Sequence, residues 1–230
     1  MTQEQRNSPH ELPEYYCHRG DKMKAEIVAD FTLHPIAHLK LIPGQAKVSY
    51  SGYPLTDQYY CFSFERKNAP QQAGVFFCGR DVARDFLSLT GSAELPLFNP
   101  LRSDTESGGR GGSRGGGGTS APAVNANANK KLFIDAARLL MSLWDATGKG
   151  QTPLAAVLQS AIDDGIDAPP TFQQVLSVNT MLGNTRSTLS GLLAEAKKKY
   201  PEVAFRDFDF SPLNAIVARS KYYDKHPPCY

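Results

Sequence analysis

The stretch SGGRGGSRGGGG, residues 107–118, decides how the rest of the chain is interpreted. It holds eight of the nineteen glycines and no apolar side chain, so it cannot bury enough surface to fold. Structureless loops longer than about 15 residues are uncommon inside a compact domain, which favours a linker. The sequence therefore predicts an α+β module at residues 1–101, a disordered Gly/Arg-rich linker at 102–130 and a mostly α-helical module at 131–230.

Composition indicates an ordinary globular protein. The 230 residues are 41% hydrophobic and carry a net charge of +2, and the basic surplus falls within the linker. No segment has the roughly 18 consecutive apolar residues of a membrane span, and the start MTQEQRNSPHELPE lacks the apolar centre of a secretory signal. We therefore expect a cytoplasmic protein without a membrane partner, in which the four cysteines are thiols or metal ligands rather than disulfides.

Two aromatic runs predict a β-hairpin in the N-terminal module, YYCFSFE at residues 59–65 and GVFFCG at 74–79. A register that pairs Arg66 with Ala73 would place Cys61 opposite Cys78. The following GRDVARDFLSLTG has apolar residues at helical spacing and a glycine stop, which predicts a helix. A hairpin that leads into a helix with a cysteine at the junction resembles the core of treble-clef zinc modules.

The treble-clef resemblance implies zinc, although the second Cys-x-x-Cys pair of those modules is missing. Two histidines four residues apart in HPIAH would share one face of a helix and could complete a tetrahedral site, since zinc accepts imidazole and thiolate together. The predicted ligands are His34, His38, Cys61 and Cys78. The alternative is that both cysteines are small buried hydrophobic residues and that the protein has no cofactor.

Catalysis finds little support in the sequence. Cys78 at a helix N-terminus beside Arg80 could have a lowered pKa, as a thiol nucleophile requires, but no histidine follows it within the module. Phosphate-binding loops and nucleophile elbows are absent from the sequence. A metal- or thiol-dependent enzyme is therefore only the third hypothesis.

The linker contains two Arg-Gly-Gly steps, at Arg110 and Arg114. Such segments are flexible coils, and they also bind single-stranded nucleic acid weakly through charge and guanidinium stacking. No aromatic residues are interleaved with the arginines. A plain linker is the main interpretation, and an auxiliary nucleic-acid contact is the alternative.

The most informative segment of the helical module is TMLGNTRSTLSGLLAEAKKKYP at residues 180–201. Gly183 interrupts a helical pattern, and Asn184 or Thr185 could begin a new helix. Residues 171–199 resemble the helix-turn-helix of bacterial DNA-binding proteins, in which a Leu-Gly turn precedes a short polar start to the recognition helix. The match identifies no single family, and a helical bundle without a ligand remains the structural alternative.

The helix-turn-helix resemblance implies a set of DNA contacts, because a recognition helix needs small and hydrogen-bonding residues near its N-terminus to reach base edges. Arg186 is the candidate for a bidentate guanine contact. The other candidates for base contacts are Thr185, Ser187, Thr188 and Ser190, and those for phosphates are Lys197, Lys198 and Lys199.

The sequence thus favours a non-enzymatic, DNA-associated regulator or accessory factor, in which the N-terminal module binds an unknown protein partner. Near-neutral charge implies modest affinity, so function would need a homodimer, a second site or a protein partner. The main alternative is a two-module protein-protein adaptor that binds through the aromatic hairpin and the helical bundle.

Overall fold

A computed structural model describes residues 10–102, 126–144, 148–165, 167–219 and 227–230, and it has a mixed α+β fold. A short 3₁₀ helix, Glu14–Tyr16, precedes the regular elements. The strands are β1 Phe31–Lys40, β2 Lys47–Val48, β3 Pro54–Leu55, β4 Gln58–Arg66, β5 Ala69–Gly79 and β6 Leu97–Phe98. The helices are α1 Asp21–Asp30, α2 Arg80–Thr90, α3 Ala126–Leu143, α4 Gly148–Asp163, α5 Phe172–Asn184, α6 Leu189–Lys199 and α7 Ser211–Val217.

The main sheet has the strand order β5-β4-β1-β6. Strands β1, β4 and β5 are antiparallel, whereas β6 adds two residues in parallel to β1. The predicted hairpin is confirmed as β4–β5, but its register is shifted by one residue, because Cys61 lies opposite Phe77 and Cys78 opposite Tyr60. Since side chains alternate along a strand, this shift sends the two thiols to opposite faces of the sheet.

The HPIAH segment is strand rather than helix, which corrects the prediction that His34 and His38 share a helix face. The pairing of β1 with β4 slips between Pro35 and Ala37. A bulge of this kind inserts one residue and reverses the alternation beyond it. Phe31 therefore faces one side of the sheet and Ala37 the other, so one strand contributes to both core layers.

The first face of the sheet packs against α1 and α2, the helices that directly precede β1 and follow β5. Its core is aromatic: the Phe62 and Phe76 rings are stacked 5.5 Å apart, and Phe86 of α2 contacts both. Helix α2 ends at Gly91, whose left-handed φ of 66° matches the predicted glycine stop. This half of the fold is built from neighbours in sequence.

The second face of the sheet packs against α3 and α4, which belong to the C-terminal half of the chain. Tyr59, Cys61 and Phe77 of the sheet belong to the same buried cluster as Phe133 of α3 and Leu158 of α4. The two halves of the chain thus share one hydrophobic core. The predicted layout of two modules joined by a linker is therefore not confirmed.

Polar contacts also join the two halves. Two buried residues of the N-terminal half reach the C-terminal end of α3: Gln45 donates to the Ser142 carbonyl at 2.8 Å and Lys47 to the Trp144 carbonyl at 2.9 Å. At the sheet edge, Leu101 forms an antiparallel bridge with Phe205. Residues of the N-terminal half thus donate hydrogen bonds that cap the C-terminal end of a helix in the C-terminal half.

Residues 227–230 pack among α5, α6 and α7. The Asn179 side chain donates to the Pro227 carbonyl at 3.0 Å and accepts from the Cys229 amide at 2.8 Å, while the Tyr230 hydroxyl donates to the Val175 carbonyl at 2.7 Å. Cys229 is buried among these helices.

Within the described part of the chain, none of the helices combines the length and the apolar character that crossing a membrane requires.

Candidate functional site

The candidate nucleic-acid interface is the segment α5–turn–α6. Thr171 begins α5 through a reciprocal capping box with Gln174. Gly183 does not end this helix, because α5 continues to Asn184. The turn then contains Arg186 with a left-handed φ of 54°.

Helix α6 begins later than predicted. Its N-cap is Thr188, whose hydroxyl accepts from the Gly191 amide at 2.9 Å, rather than Asn184 or Thr185. Gly191 suits this start because a Cβ atom there would lie 2.9 Å from the same hydroxyl oxygen. Arg186 therefore lies in the turn and not in the first turn of the second helix.

Several of the predicted base-reading hydroxyls are engaged locally. The Thr185 hydroxyl donates to the Leu182 carbonyl at 2.8 Å, and the Ser187 hydroxyl lies 3.4 Å from the Thr185 carbonyl. Thr188 caps α6 and lies 3.2 Å from the Ser190 hydroxyl. Thr185 and Thr188 thus have structural roles, whereas Ser190 remains exposed at the start of α6.

The outward face of α6 is polar and basic. Ser190, Ala194, Lys197 and Lys198 recur at i, i+4, i+7 and i+8, the spacing of a single helix face, and all four are exposed. The opposite side, which includes Leu189, is buried. Arg186, also exposed, precedes this surface in the turn.

Acidic residues lie beside the C-terminal end of α6. The Lys197 amine is 4.0 Å from a carboxylate oxygen of Asp207, which also pairs with Arg102. The pKa of Asp209 is lowered by hydrogen bonds from Ser211. Lys199 is exposed, with its amine 5.2 Å from the centre of the Tyr200 ring. The positive charge of the outward face is therefore partly offset at Lys197.

The packing of α5 and α6 differs from the expected motif, in which the two helices support each other. Here α5 packs mainly on α4 and α7, and α6 packs on α3. A groove of about 410 Å³ separates α6 from the segment before α7, with Leu193 and Lys197 on one wall. Phe208 and Phe210 line the other wall, with their rings stacked 5.6 Å apart.

The four predicted zinc ligands do not form one site. His34 is exposed on β1, and His38 is buried, stacked on Tyr60 and hydrogen-bonded to the Leu95 carbonyl and the Gln58 side chain. The shifted register places Cys61 and Cys78 on opposite faces of the sheet. Among the described residues, no three His, Cys, Asp or Glu side chains are grouped as a metal site requires.

The thiols also lack the expected activation. Burial raises the pKa of both Cys61 and Cys78, and Cys78 is fully buried despite its position just before α2. A raised pKa leaves the neutral thiol dominant, whereas the nucleophile is the thiolate. This corrects the hypothesis of a lowered pKa at Cys78.

The linker arginines, Arg110 and Arg114, lie outside the described residues, so their predicted auxiliary contact stays a prediction.

Helix α3 contains charged residues whose burial the sequence analysis did not anticipate. Lys130 is fully buried, and burial raises the pKa of Asp135 and lowers that of Arg138. The available signal was the sequence KKLFIDAARLL, in which charges at i, i+1, i+5 and i+8 interrupt an apolar helix. An apolar stripe on one side of the helix would leave these charges in solvent, whereas the structure covers nearly the whole circumference.

Comparisons with known proteins give a family but no activity. The chain has no significant match among curated proteins or among solved structures. A family model described as "Uncharacterised conserved protein UCP028583" matches residues 17–229, and so extends over both faces of the sheet and the helices beyond the linker. The chain belongs to this family of uncharacterised conserved proteins.

Proposed function

We propose that this protein is a non-enzymatic, DNA-associated regulator or accessory factor that contacts DNA through α6 and the turn before it. The observation that carries the proposal is the outward face of α6, where small and basic residues share one exposed side of a well-anchored helix.

The order of residues along this face suits a helix that enters a major groove. Ser190 and Ala194 are small, so the backbone of the first turns of α6 can approach base edges closely. Lys197 and Lys198, at the far end, suit contacts with phosphates. Arg186 extends the positive charge beyond the start of the helix.

The roles within the predicted set are revised by the local hydrogen bonds. Thr185 and Thr188 hold the turn and the helix start, so their substitution would act mainly on folding. We assign DNA contact to Arg186, Ser190, Lys197 and Lys198, with Lys199 as an additional positive charge.

The charge balance implies modest affinity. Asp207 and Asp209 border the surface, and phosphate neutralisation supplies most of non-specific DNA binding. Tight binding would therefore use a second copy of the chain, a protein partner held by the N-terminal half, or the linker arginines.

The test is fluorescence anisotropy of the full chain with labelled duplex and single-stranded DNA over a salt series. Arg186→Asn removes the charge while keeping a residue that tolerates the left-handed backbone. Lys198→Gln removes a candidate phosphate contact, and we expect the slope of log K against log salt to fall by about 1. The matched control is Lys22→Gln on α1, whose side chain is 92% exposed.

Binding that weakens in Arg186→Asn and Lys198→Gln but not in Lys22→Gln would support the proposal. The absence of binding at low salt, or an equal loss in all three variants, would contradict it. A salt-stable complex with a protein would then favour the adaptor hypothesis, although the hairpin aromatics expected to dock a partner, such as Phe62 and Phe76, are buried in the core. Turnover of a substrate would favour the enzyme hypothesis.

A further inference from the structure

A cavity of about 320 Å³ lies between α3, α4 and the segment before β6, away from α6. Its walls are largely apolar, with Leu95 on the β6 side, Ile134 on α3 and Ile162 on α4. Three charged residues of α3 also line it: Lys131, Asp135 and Arg138. The volume is at the lower end of the range for small-molecule pockets, roughly 300–1,000 Å³.

The charge at the cavity is predominantly positive and incompletely paired. The Arg138 Nε atom is buried and has no hydrogen-bond partner among the described residues. Asp135 is three residues away, but the two side chains form no ion pair within 4.0 Å in the described structure. Burial raises the pKa of Asp135, and the positive charges of Arg138, Lys131 and Arg206, in that order, offset part of this effect.

A buried guanidinium nitrogen without a partner, such as Arg138 Nε, is costly. Arginine also matches a carboxylate in both charge and planar geometry. The apolar walls cannot satisfy it, whereas they can hold a hydrocarbon body. Asp135 disfavours a second negative charge, which limits the ligand to a monoanion.

We propose that this cavity binds a small organic monocarboxylate with an apolar body, whose carboxylate accepts hydrogen bonds from Arg138 while its body packs against Ile134 and Ile162. The site is separate from the DNA surface, so the inference does not depend on the proposed function. Its volume of about 320 Å³ suits a ligand with a short hydrocarbon body.

The test uses sodium hexanoate and 1-hexanol as matched probes, with binding to the full chain measured by calorimetry. Both have the same hydrocarbon body, and only hexanoate can pair with arginine. We expect hexanoate to bind about tenfold or more tightly than hexanol, as charge-assisted hydrogen bonding implies. The substitution Arg138→Met should remove that preference, and Arg138→Lys should keep part of it.

A second variant tests the site without removing Arg138. Asp135→Asn should tighten hexanoate binding, because it removes the one negative charge among the lining residues. Arg84→Met, on the other side of the sheet at an arginine whose side chain is 51% exposed, is the control and should leave binding unchanged.

Three outcomes would overturn the proposal: no binding of hexanoate, equal binding of the two probes, or a hexanoate preference that Arg138→Met retains. Thermal melting establishes whether each variant is folded. If Arg138→Met does not fold, the preference of the parent chain and the response of Asp135→Asn still decide the question.

Discussion

The two faces of the sheet bury lysine in different ways. On the α1–α2 face, Lys24 pairs with Asp21 at 2.7 Å and with Asp85 of α2. On the α3–α4 side, Lys130 is fully buried and its amine has no hydrogen-bond partner within the described residues. On the first face the buried lysine is paired with exposed carboxylates, and on the second the buried lysine has no partner among the described residues.

This difference extends to other polar groups on the α3–α4 side. Atoms that are buried there without a partner in the described structure include Tyr59 Oη, Arg138 Nε and Gln159 Oε1. Native proteins have few such groups, and each calls for a physical reason. For Arg138 the proposed ligand of the adjacent cavity is such a reason, because its carboxylate would accept a hydrogen bond from the guanidinium.

Cleavage of the chain between its two halves should give the largest effect, because it tests whether the α3–α4 face belongs to the same core as the rest of the sheet. With a protease site in place of residues 107–118, we expect the cleaved halves to elute as one complex and to melt in one transition. Separation would expose Tyr59 and Phe77 on one half and Phe133 on the other, and each large apolar side chain contributes roughly 1.5–3 kcal/mol. Size-exclusion chromatography measures whether the cleaved halves elute together, and calorimetry measures the number of melting transitions.

The uncleaved chain is the control for the cutting experiment. Two fragments that elute apart and keep their folds would mean that the α3–α4 face is an ordinary domain contact, as the glycine run suggested.

Lys130→Met should stabilise the protein. The substitution keeps the side chain's approximate volume and removes an unpaired buried charge, so we expect the free energy of unfolding to rise by about 2 kcal/mol. Urea denaturation measures the change. The neighbouring exposed residue provides the control, Lys131→Met, which should stay within about 0.5 kcal/mol of the parent. A destabilised Lys130→Met would show that the ammonium group has a partner in solution, and the contrast between the faces would then fail.

The same contrast explains what the sequence could and could not predict. The hairpin and α2 with its stop at Gly91 are set by residues close in sequence, and both are confirmed. The packing of α3 and α4 on the sheet depends on partners beyond the linker, which periodicity does not encode. The apolar periodicity of α2 required only one covered side, whereas α3 is covered almost all round.

Sequence patterns also failed to predict the strand register and the start of α6, where a shift of one or a few residues changes which side chains lie together. The register of β1 slips between Pro35 and Ala37, and the hairpin is shifted by one residue. His38 and Cys78 therefore lie on the opposite face of the sheet from Cys61, and the predicted zinc ligands do not converge. The segment that contains α5 and α6 was predicted closer to its observed form: two helices with a turn between them were expected, but the start of α6 at Thr188 places Arg186 in the turn.

Lys47→Met should weaken the contact between the halves. Lys47 donates to the Trp144 carbonyl at the end of α3, and its amine lies 5.7 Å from the centre of the Tyr59 ring. Loss of this charged hydrogen bond should cost about 1.5 kcal/mol. The protein has one tryptophan, so its fluorescence reports directly on this end of α3. Lys22→Met on the exposed surface of α1 should change neither signal, and an unchanged Lys47→Met would contradict the capping role.

Lys24→Met should have the smallest effect, a loss of about 1 kcal/mol, because Asp21 and Asp85 are exposed enough for water to screen them. Hydrogen bonds to Asp21, and then to Asp85, raise the pKa of Lys24 above its ordinary value of 10.5. Its contribution is therefore complete below pH 10.5 and is lost as the pH rises through the raised pKa. Urea denaturation of parent and variant should show curves that converge in alkali, and Asp85→Asn should remove part of the difference between them. Lys24→Met and Lys130→Met are the same substitution on opposite faces of one sheet, and we expect opposite changes in the free energy of unfolding. Changes of the same sign would mean that ion pairing does not decide whether a buried lysine stabilises this protein.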